Sequence, residues 1–356
     1  MTPLESDPLG HGILANRLDS IAGQWRGMIA NRAEFTARSP KPRESFVVTG
    51  IGSSEAHGRF LAWMLNRRPE SAAEFVPLAA FDNGRMDCAP GGERRTLVLF
   101  SQGLSRNVRL VLDQRHRFTR MVLFTAATVD GLTRDGRADR AEWLRQLETE
   151  GTEIIRFPLE NEYEILIRVV GPACGFLAAR LWVDSMNGEP SGAVSTGQAV
   201  EAIAAVDGGA LTRFLTDNAA ACASGFRILV PPTLAQFGQN LVCKCVEGVF
   251  WSPPVLLDYL SFAHGPFQQL AARPAPVILF RSEHAGEGIL ADRALEMCRT
   301  LKLPTVVVPL TAPAGWEVLE AEVQFNQALM ALVRHLRIDQ RNWPGRGADG
   351  PLYAYP

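Results

Sequence analysis

The chain has 356 residues, of which 47% are hydrophobic and 21% charged, and its 36 basic and 38 acidic side chains leave a formal net charge of -2. This composition is that of a globular protein, and it excludes a disordered, collagen-like or coiled-coil chain. The near-neutral charge argues against a general nucleic-acid-binding protein. The sequence approaches neither the roughly 18 to 20 apolar residues of a membrane span nor the basic, apolar start of a secretory signal. We therefore expect a cytoplasmic protein with no nucleic-acid or membrane partner.

The cysteines show neither the density of a secreted disulfide framework nor the paired spacing of a zinc site. They are Cys88, Cys174, Cys222, Cys243, Cys245 and Cys298. On a helix, Cys243 and Cys245 would point about 200° apart. The sequence therefore predicts reduced, buried thiols and no metal site.

Apolar residues recur at helical spacing over residues 11–37 and predict an N-terminal helix. After it, short and almost wholly apolar strands alternate with helices. Predicted strands lie at 46–49, 74–81, 96–100, 121–125 and 153–157, and then at 226–230, 255–259, 277–280 and 305–308. Predicted helices cover, among others, 107–116, 140–150, 163–186, 234–250, 289–301 and 316–336. This alternation is typical of α/β proteins with a parallel sheet covered on both faces.

The order of elements that starts at Phe46 restarts at Phe226, which indicates a duplicated α/β unit. The short connections favour a doubly wound sheet in each copy, and the Gly-, Ser- and Pro-rich stretch at 187–198 is predicted to link them. The expected organisation is an N-terminal helical segment at 1–44, parallel-sheet domains at 45–190 and 191–338, and a C-terminal tail at 339–356.

Small hydroxyl residues follow two of the predicted strands. Ser53 and Ser54 come after the first strand, and Ser101 and Ser105 come after the third. Ligands of open parallel sheets bind outside the carboxyl ends of the strands, where a helix N-terminus and serine hydroxyls together suit an anion such as phosphate. A second interpretation is that these serines serve only as helix N-caps. Both interpretations stay open on the sequence.

A Rossmann-type dinucleotide site is a further candidate for the loop after the first strand. Gly50 and Gly52 supply the first two glycines of its fingerprint, but Glu55 stands where the third belongs. No P-loop motif occurs in the chain. A dinucleotide-dependent oxidoreductase therefore fits this loop less well than a phosphate site does.

Five segments occur in order along the chain: Gly52-Ser53-Ser54, residues 101–107 (SQGLSRN), Glu247 on a predicted helix, His264-Gly265-Pro266, and residues 339–342 (DQRN). In this order they resemble the tandem sugar isomerase (SIS) domains of the isomerase half of glucosamine-6-phosphate synthase and its relatives. The resemblance spans residues 45–343. It implies two tandem doubly wound, flavodoxin-like SIS domains that bind a sugar phosphate as a homodimer with a shared active site.

The resemblance also implies roles for individual residues in holding the substrate. The side chains that would hold the phosphate are Ser53, Ser54, Ser101, Gln102 and Ser105. Further candidates to contact the substrate are Asn107 and Arg341. The family's chemistry needs neither a cofactor nor a metal.

Two residues are implied to carry the chemistry of the reaction. Glu247 would move a proton between C1 and C2 of the sugar, and His264, contributed across the dimer, would help to open the sugar ring. Aldose–ketose isomerisation needs such a carboxylate base and such an imidazole. The non-catalytic alternatives are that Glu247 is a solvated helix residue and that His264 only hydrogen-bonds within its loop.

The resemblance thus implies a phosphosugar isomerase or an aminosugar-phosphate deaminase/isomerase. Two departures favour the alternative of a non-catalytic phosphosugar-binding protein. The 101–107 loop has one serine fewer than the family's, and no lysine follows the 339–342 segment, where the synthases have one.

Overall fold

Helix α1 (His11–Ala30) and a 3-10 turn (Arg32–Phe35) open the chain as the computed structural model describes it. The described residues are 7–38, 44–84, 95–159, 164–187, 195–348 and 350–353. They divide into two compact units. The five-strand unit falls within Gln24–Glu160, Val170–Ala193 and Pro344–Pro356, and the four-strand unit falls within Met1–Gly23, Asn161–Val169 and Val194–Trp343.

The five-strand unit contains a wholly parallel sheet with the strand order β2-β1-β3-β4-β5. The strands are β1 (Glu44–Thr49), β2 (Ser71–Phe75), β3 (Arg95–Phe100), β4 (Arg120–Thr125) and β5 (Glu153–Arg156). The helices are α2 (Ser53–Asn66), α3 (Arg109–Leu112), α4 (Val129–Arg134), α5 (Ala138–Thr149) and α6 (Val170–Asn187). After their first residue, β3 and β4 are buried throughout, which explains their uninterrupted apolar sequences.

Alternate residues of β1 pack into two different apolar layers, as the two faces of a strand require. Val47 belongs to a buried cluster that also includes Leu97 of β3 and Leu144 of α5. Phe46 lies with its ring centroid 6.1 Å from that of Trp182 on α6. Apolar side chains therefore cover both faces of this sheet.

Helices α2 and α6 approach each other at a glycine. His57 of α2 is fully buried, and its Nε2 lies 2.8 Å from the carbonyl oxygen of Pro172. A Cβ atom on Gly175 would lie 2.3 Å from Cε1 of that imidazole. The ring of Phe176 meets the imidazole edge-on at 4.7 Å between centroids. Position 175 therefore has room for glycine alone while His57 holds this place.

A buried ion-pair network lies at the amino ends of the strands. Arg120, the first residue of β4, pairs with Glu44 of β1 at 3.2 Å and with Glu153 of β5. Glu153 also accepts a hydrogen bond from the indole of Trp182 at 2.8 Å, and Glu44 accepts one from Thr96. One guanidinium thus neutralises two carboxylates that are nearly removed from solvent.

The four-strand unit repeats the same crossing pattern in a second parallel sheet, with the order β7-β6-β8-β9. The strands are β6 (Arg227–Val230), β7 (Val255–Asp258), β8 (Val277–Ser282) and β9 (Thr305–Leu310). The helices are α7 (Thr196–Ala204), α8 (Gly209–Asp217), α9 (Ala219–Ala223), α10 (Pro232–Ala235), α11 (Gln239–Val249), α12 (Tyr259–Ala263), α13 (Pro266–Ala272), α14 (Ala285–Thr300) and α15 (Glu317–His335). A last short helix, α16 (Gly350–Tyr353), ends the described chain and belongs to the five-strand unit.

The predicted α/β class with parallel sheets is confirmed. The doubly wound tandem arrangement and the domain limits at 45–190 and 191–338 stay predictions. Most of the 187–198 linker and the position of Cys88 lie outside the described residues.

Two predicted elements end or begin elsewhere in the structure. The strand predicted at 74–81 ends at Phe75, because the ring of Pro77 fixes φ at about −65°, outside the usual range of a parallel strand, and Leu78–Gly84 form a 3-10 turn. The helix predicted at 163–186 begins at Val170. The amides of Leu166 and Ile167 instead donate to Gln340, at 3.0 Å to its carbonyl oxygen and 3.2 Å to its side chain.

The helix predicted at 107–116 is also wrong. In its place are a 3-10 turn (Arg106–Val108), the single turn of α3 and a second 3-10 turn (Arg115–Arg117). The apolar residues Val108, Val111 and Leu112 are nonetheless buried, because consecutive short turns present them to the core much as a helix would.

The five described cysteines are free thiols, as the sequence predicts, and four of them are buried. Burial raises the pKa of Cys222 to about 12, so this thiol stays protonated and unreactive. Within the described part of the chain, none of the helices combines the length and apolarity needed to cross a bilayer.

Candidate functional site

The loops after β1 and β3 lie side by side at one edge of the five-strand sheet. The chain leaves β1 toward β2 on one side, and β3 lies on the other side of β1. Thr49 at the end of β1 pairs with Leu99 near the end of β3. Ligands of open α/β sheets bind where the strand order reverses in this way. The structure therefore brings the two serine-bearing segments to neighbouring strand ends.

The first loop turns sharply into α2 through two glycines. A Cβ atom on Gly50 would lie 2.4 Å from the carbonyl oxygen of Ser54, so only glycine fits there. Gly52 is the N-cap of α2 with φ of 62°, a conformation that favours glycine, and no side chain caps the helix. Ser53 and Ser54 are thus the first two helical residues. Neither hydroxyl performs the capping role that the alternative interpretation assigns to it.

The second loop is fixed to the neighbouring strand β4. The amide of Ser101 donates to the carbonyl oxygen of Phe124 at 2.9 Å, and the carbonyl of Gln102 accepts from the amide of Ala126 at 3.0 Å. Leu104 is fully buried yet has φ of 48°, in the left-handed region that is unfavourable for leucine. Such strain is found where a loop is held for a function.

The remaining side chains of this loop are also held in place. Ser105 donates a hydrogen bond from Oγ to Oδ1 of the buried Asn107 at 2.6 Å. Gln102 lies against the first turn of α6, where a Cβ atom on Gly171 would lie 2.6 Å from its Oε1. The loop therefore presents a fixed set of hydroxyl and amide groups, which is what a preorganised anion site requires.

Glu247 lies in the last turns of α11, in the four-strand unit, and is half-buried. Burial raises the pKa of its carboxyl above the usual range, and the positive charges of Arg168 and Lys244 oppose that rise. A half-buried carboxylate that feels two nearby positive charges differs from the solvated helix residue of the non-catalytic alternative. It has the electrostatic character of a candidate general base.

Lys244 was not singled out by the sequence analysis, although it lies one turn before Glu247 on the same face of α11. Its ammonium group is buried, pairs with Glu322 of α15 and donates to Asn326. Asn240 also donates to Glu322. The spacing of three residues between Lys244 and Glu247 on a helix is the signal that could have identified this pair.

The other two predicted residues of the four-strand unit lie in different loops. His264 follows α12 and is exposed to solvent, and its amide donates to the carbonyl of Ser261 at 3.1 Å. Arg341 donates from Nη1 to the carbonyl oxygen of Asp7 at 3.0 Å. Its own amide donates to Asp339 at 2.9 Å, so this segment is folded onto itself and onto the start of the chain.

Among the described residues, no group of three or more His, Cys, Asp or Glu side chains is placed to hold a metal ion. The polar groups at the end of the five-strand sheet are hydroxyls and amides. Their chemistry suits an oxyanion.

Comparison with known proteins finds a similarity of structure and none of sequence family. No family model and no curated protein matches the sequence. Among solved structures, glucosamine-6-phosphate deaminase from Thermotoga maritima matches with a TM-score of 0.68 at 14% identity, over 93% of this chain and 96% of that one. The C-terminal domain of glucosamine-fructose-6-phosphate aminotransferase from Francisella tularensis matches with a TM-score of 0.66 at 12% identity, over 92% and 97%. Tagatose-6-phosphate ketose/aldose isomerase from Escherichia coli matches with a TM-score of 0.64 at 12% identity, over 93% and 95%. The chain therefore has the fold of the SIS proteins, which its sequence motifs predict.

Proposed function

We propose that the protein is a phosphosugar isomerase or an aminosugar-phosphate deaminase/isomerase that moves a proton between C1 and C2 of a sugar phosphate. The observation that carries this proposal is the meeting of two preorganised serine loops at the strand-order reversal of the five-strand sheet. The substrates named for the solved structures of the same fold, among them tagatose-6-phosphate and glucosamine-6-phosphate, support a sugar phosphate as the ligand.

The phosphate group binds at the ends of β1 and β3 in this proposal. The hydroxyls of Ser53, Ser54 and Ser101 and the amide of Gln102 donate to its oxygens, as hydroxyl and amide donors do in other phosphate sites. The Ser105 hydroxyl, which donates to Asn107 in the free protein, turns from that oxygen to the phosphate when the ligand binds. The N-terminus of α2 adds the positive end of its dipole. A net charge near zero fits this arrangement, because local donors and not a basic surface hold the anion.

Glu247 is the base that transfers the proton. Its carboxylate takes the proton from C2 of the open-chain aldose, which leaves an enediol, and returns it to C1 while a hydroxyl proton moves from O2 to O1. The ketose that results has the same atoms and charge as the aldose, so the step needs no cofactor. His264, supplied across a homodimer, exchanges the ring-oxygen proton when the sugar ring opens. Asn107 and Arg341 are further candidates to contact the substrate.

The test is proton exchange in deuterated water, followed by NMR at C2 of glucosamine-6-phosphate and at C1 of tagatose-6-phosphate, a ketose that carries no hydrogen on C2. Glu247→Gln removes the base and is expected to slow exchange by about 10²- to 10⁴-fold, with the substrate still bound. Because only the carboxylate form accepts a proton, exchange in the unaltered protein falls as the pH drops through the raised pKa of Glu247. Glu296→Gln, an exposed change on α14, is the matched control and leaves exchange unchanged. Equal exchange in the two variants would show that Glu247 is not the base.

One observation favours the second candidate, a phosphosugar-binding protein without catalysis. The ammonium group of Lys244 is committed to Glu322 and Asn326, and the guanidinium of Arg341 donates to the main chain at Asp7. Binding of the sugar phosphates in the unaltered protein, without exchange at C2 of glucosamine-6-phosphate or at C1 of tagatose-6-phosphate, would support this candidate. No binding at all, by calorimetry, would contradict both candidates.

A further inference from the structure

Gln340 is a fully buried glutamine that connects three separate parts of the four-strand unit. Its carbonyl oxygen accepts from the amide of Leu166 at 3.0 Å, and its Oε1 accepts from the amide of Ile167 at 3.2 Å. Its Nε2 donates to the carbonyl oxygen of Gly248 on α11 at 2.7 Å. Its own amide donates to the carbonyl of Leu9 at 3.0 Å. One side chain thus bridges the extended segment 164–169 and the end of α11.

The two elements that Gln340 bridges carry the charged groups of the candidate base. Arg168 follows directly on Ile167, and Glu247 directly precedes Gly248. The charge of Arg168 acts on the Glu247 carboxyl, as does that of Lys244, which is itself paired with Glu322 on α15. Each of the two hydrogen bonds of the Gln340 side chain therefore lies one residue from a charged group. Ile167 precedes Arg168, and Gly248 follows Glu247.

Close packing at Gly248 supports the same contact. A Cβ atom on Gly248 would lie 3.1 Å from Cδ1 of Ile167 and 3.1 Å from Cδ1 of Leu329 on α15. The segment 164–169 therefore lies directly on α11 at the point where Gln340 donates its hydrogen bond. If the side-chain amide of Gln340 left this place, the amide of Ile167 and the carbonyl oxygen of Gly248 would each lose a partner in an apolar setting, which is unfavourable.

We propose that Gln340 is a positioning residue that holds segment 164–169 on the end of α11, so that Arg168 stands beside the catalytic carboxylate Glu247. This inference rests on the proposed function, in which Glu247 is the base. Gln340 itself does not touch the substrate. It acts through the two main-chain segments that its side chain joins.

The experiment is a double-mutant cycle read on the free protein. The pKa of Glu247 is measured by NMR of carboxyl-labelled glutamate, with and without Arg168→Gln, in the unaltered protein and in Gln340→Leu. In the unaltered protein, Arg168→Gln removes a nearby positive charge and raises the pKa of Glu247. In Gln340→Leu, the segment is released from α11, and Arg168→Gln is expected to leave that pKa unchanged. An equal rise in both backgrounds would overturn the proposal.

Gln324→Leu is the matched control, because Gln324 is also buried in the same unit and donates from Nε2 to the carbonyl oxygen of Pro309 at 2.9 Å. Both glutamine variants lose stability, but only Gln340→Leu should abolish the effect of Arg168→Gln. If Gln340→Leu does not fold, Gln340→Asn carries the test, because its side chain is one methylene shorter and cannot reach both the amide of Ile167 and the carbonyl oxygen of Gly248. A reduced effect of Arg168→Gln then supports the proposal, and an unchanged effect overturns it.

The outcome is separable from that of the proposed function. The pKa cycle needs no substrate, so it gives its answer whether or not proton exchange is detected. Where exchange is detected, the acid limb of its pH profile should follow the NMR pKa in all four proteins of the cycle. Suppose that Gln340→Leu abolishes the effect of Arg168→Gln on the pKa of Glu247, but that no exchange is detected. Gln340 would then still position Arg168, and Glu247 would not be the base.

Discussion

The two sheets share one strand order but differ at the ends where a ligand would bind. After β1 the chain passes through glycines to Ser53 and Ser54, whereas after β6 it passes through Pro231 and Pro232. A proline has no amide proton to offer an anion. The first sheet therefore ends in donors, and the corresponding loop of the second sheet lacks them at two successive residues.

The loops after β3 and β8 differ in charge. Ser101 and Ser105 follow β3, whereas His284 and Glu287 follow β8, and Nε2 of His284 lies 3.0 Å from Oε1 of Glu317. Burial raises the pKa of Glu317, although the amide of Gly315 and the charge of His284 oppose the rise. Carboxylates at this edge would repel a phosphate. The two sheets thus share a strand order but differ in the charged and hydrogen-bonding groups at their carboxyl ends.

The amino ends of the sheets differ as well. In the five-strand unit Arg120 neutralises the buried Glu44 and Glu153. In the four-strand unit Arg227 donates to the side chain of Gln269 and to the carbonyl of Phe226. The five-strand sheet therefore has buried ion pairs at the end opposite its candidate site. At the same end of the four-strand sheet, Arg227 bonds to neutral groups.

The largest expected effect concerns these amino ends. Arg120→Met leaves two buried carboxylates without their cation and should lower the free energy of unfolding by about 3 to 5 kcal/mol. Arg227→Met removes hydrogen bonds to neutral groups only and should cost about 1 to 2 kcal/mol. Urea unfolding of both variants measures the difference. Equal losses would mean that the ion pairs of the first sheet add nothing specific.

The next effect concerns the charge at the carboxyl ends. Ser53→Glu places a carboxylate at the start of α2 and should weaken binding of glucosamine-6-phosphate roughly 100-fold, within the ~1 to 4 kcal/mol expected between charges about 4 Å apart. Thr233→Glu makes the same change in α10, the helix that follows β6, and should leave affinity unaltered. Titration calorimetry compares the two. A loss confined to Thr233→Glu would place the phosphate at the other sheet.

The smallest effect concerns single hydroxyls. Ser101→Ala removes one donor to a charged ligand and should weaken binding about 10-fold. Ser282 ends β8, and its Oγ accepts from the amide of His284 at 3.2 Å, so Ser282→Ala should lower stability slightly and leave binding intact. Calorimetry and thermal unfolding on both variants check this. Unchanged affinity in Ser101→Ala would remove this residue from the proposed site.

Local sequence was sufficient for the elements that local interactions determine. The apolar runs of β3 and β4 and the glycine-rich turn before α2 were predictable, because burial on both faces and a tight turn each impose a residue pattern within a few positions. The early end of β2 was readable in principle from Pro77. The motif order supplied the fold family, which the structural comparisons support.

Contacts between distant segments were not predictable in this way. The start of α6 depends on Gln340, which lies 173 residues from its partner Ile167, and no periodicity near residue 163 reveals such a partner. The same is true of Lys244, whose burial follows from Glu322 on α15, 78 residues away. Side-chain placement of this kind follows from tertiary packing and not from propensity.

The contact between His57 and Gly175 has a consequence for how sequences of this fold diverge. With 2.3 Å between an added Cβ and the imidazole, any side chain larger than hydrogen at position 175 requires a smaller residue at position 57. The two positions are therefore expected to covary among homologues, with a small residue at 57 wherever alanine or serine occupies 175. Such paired replacement would let helices α2 and α6 keep their spacing, although neither His57 nor Gly175 is retained. The distance from the N-terminus of α2 to Gln102, which lies against α6, would then also be kept.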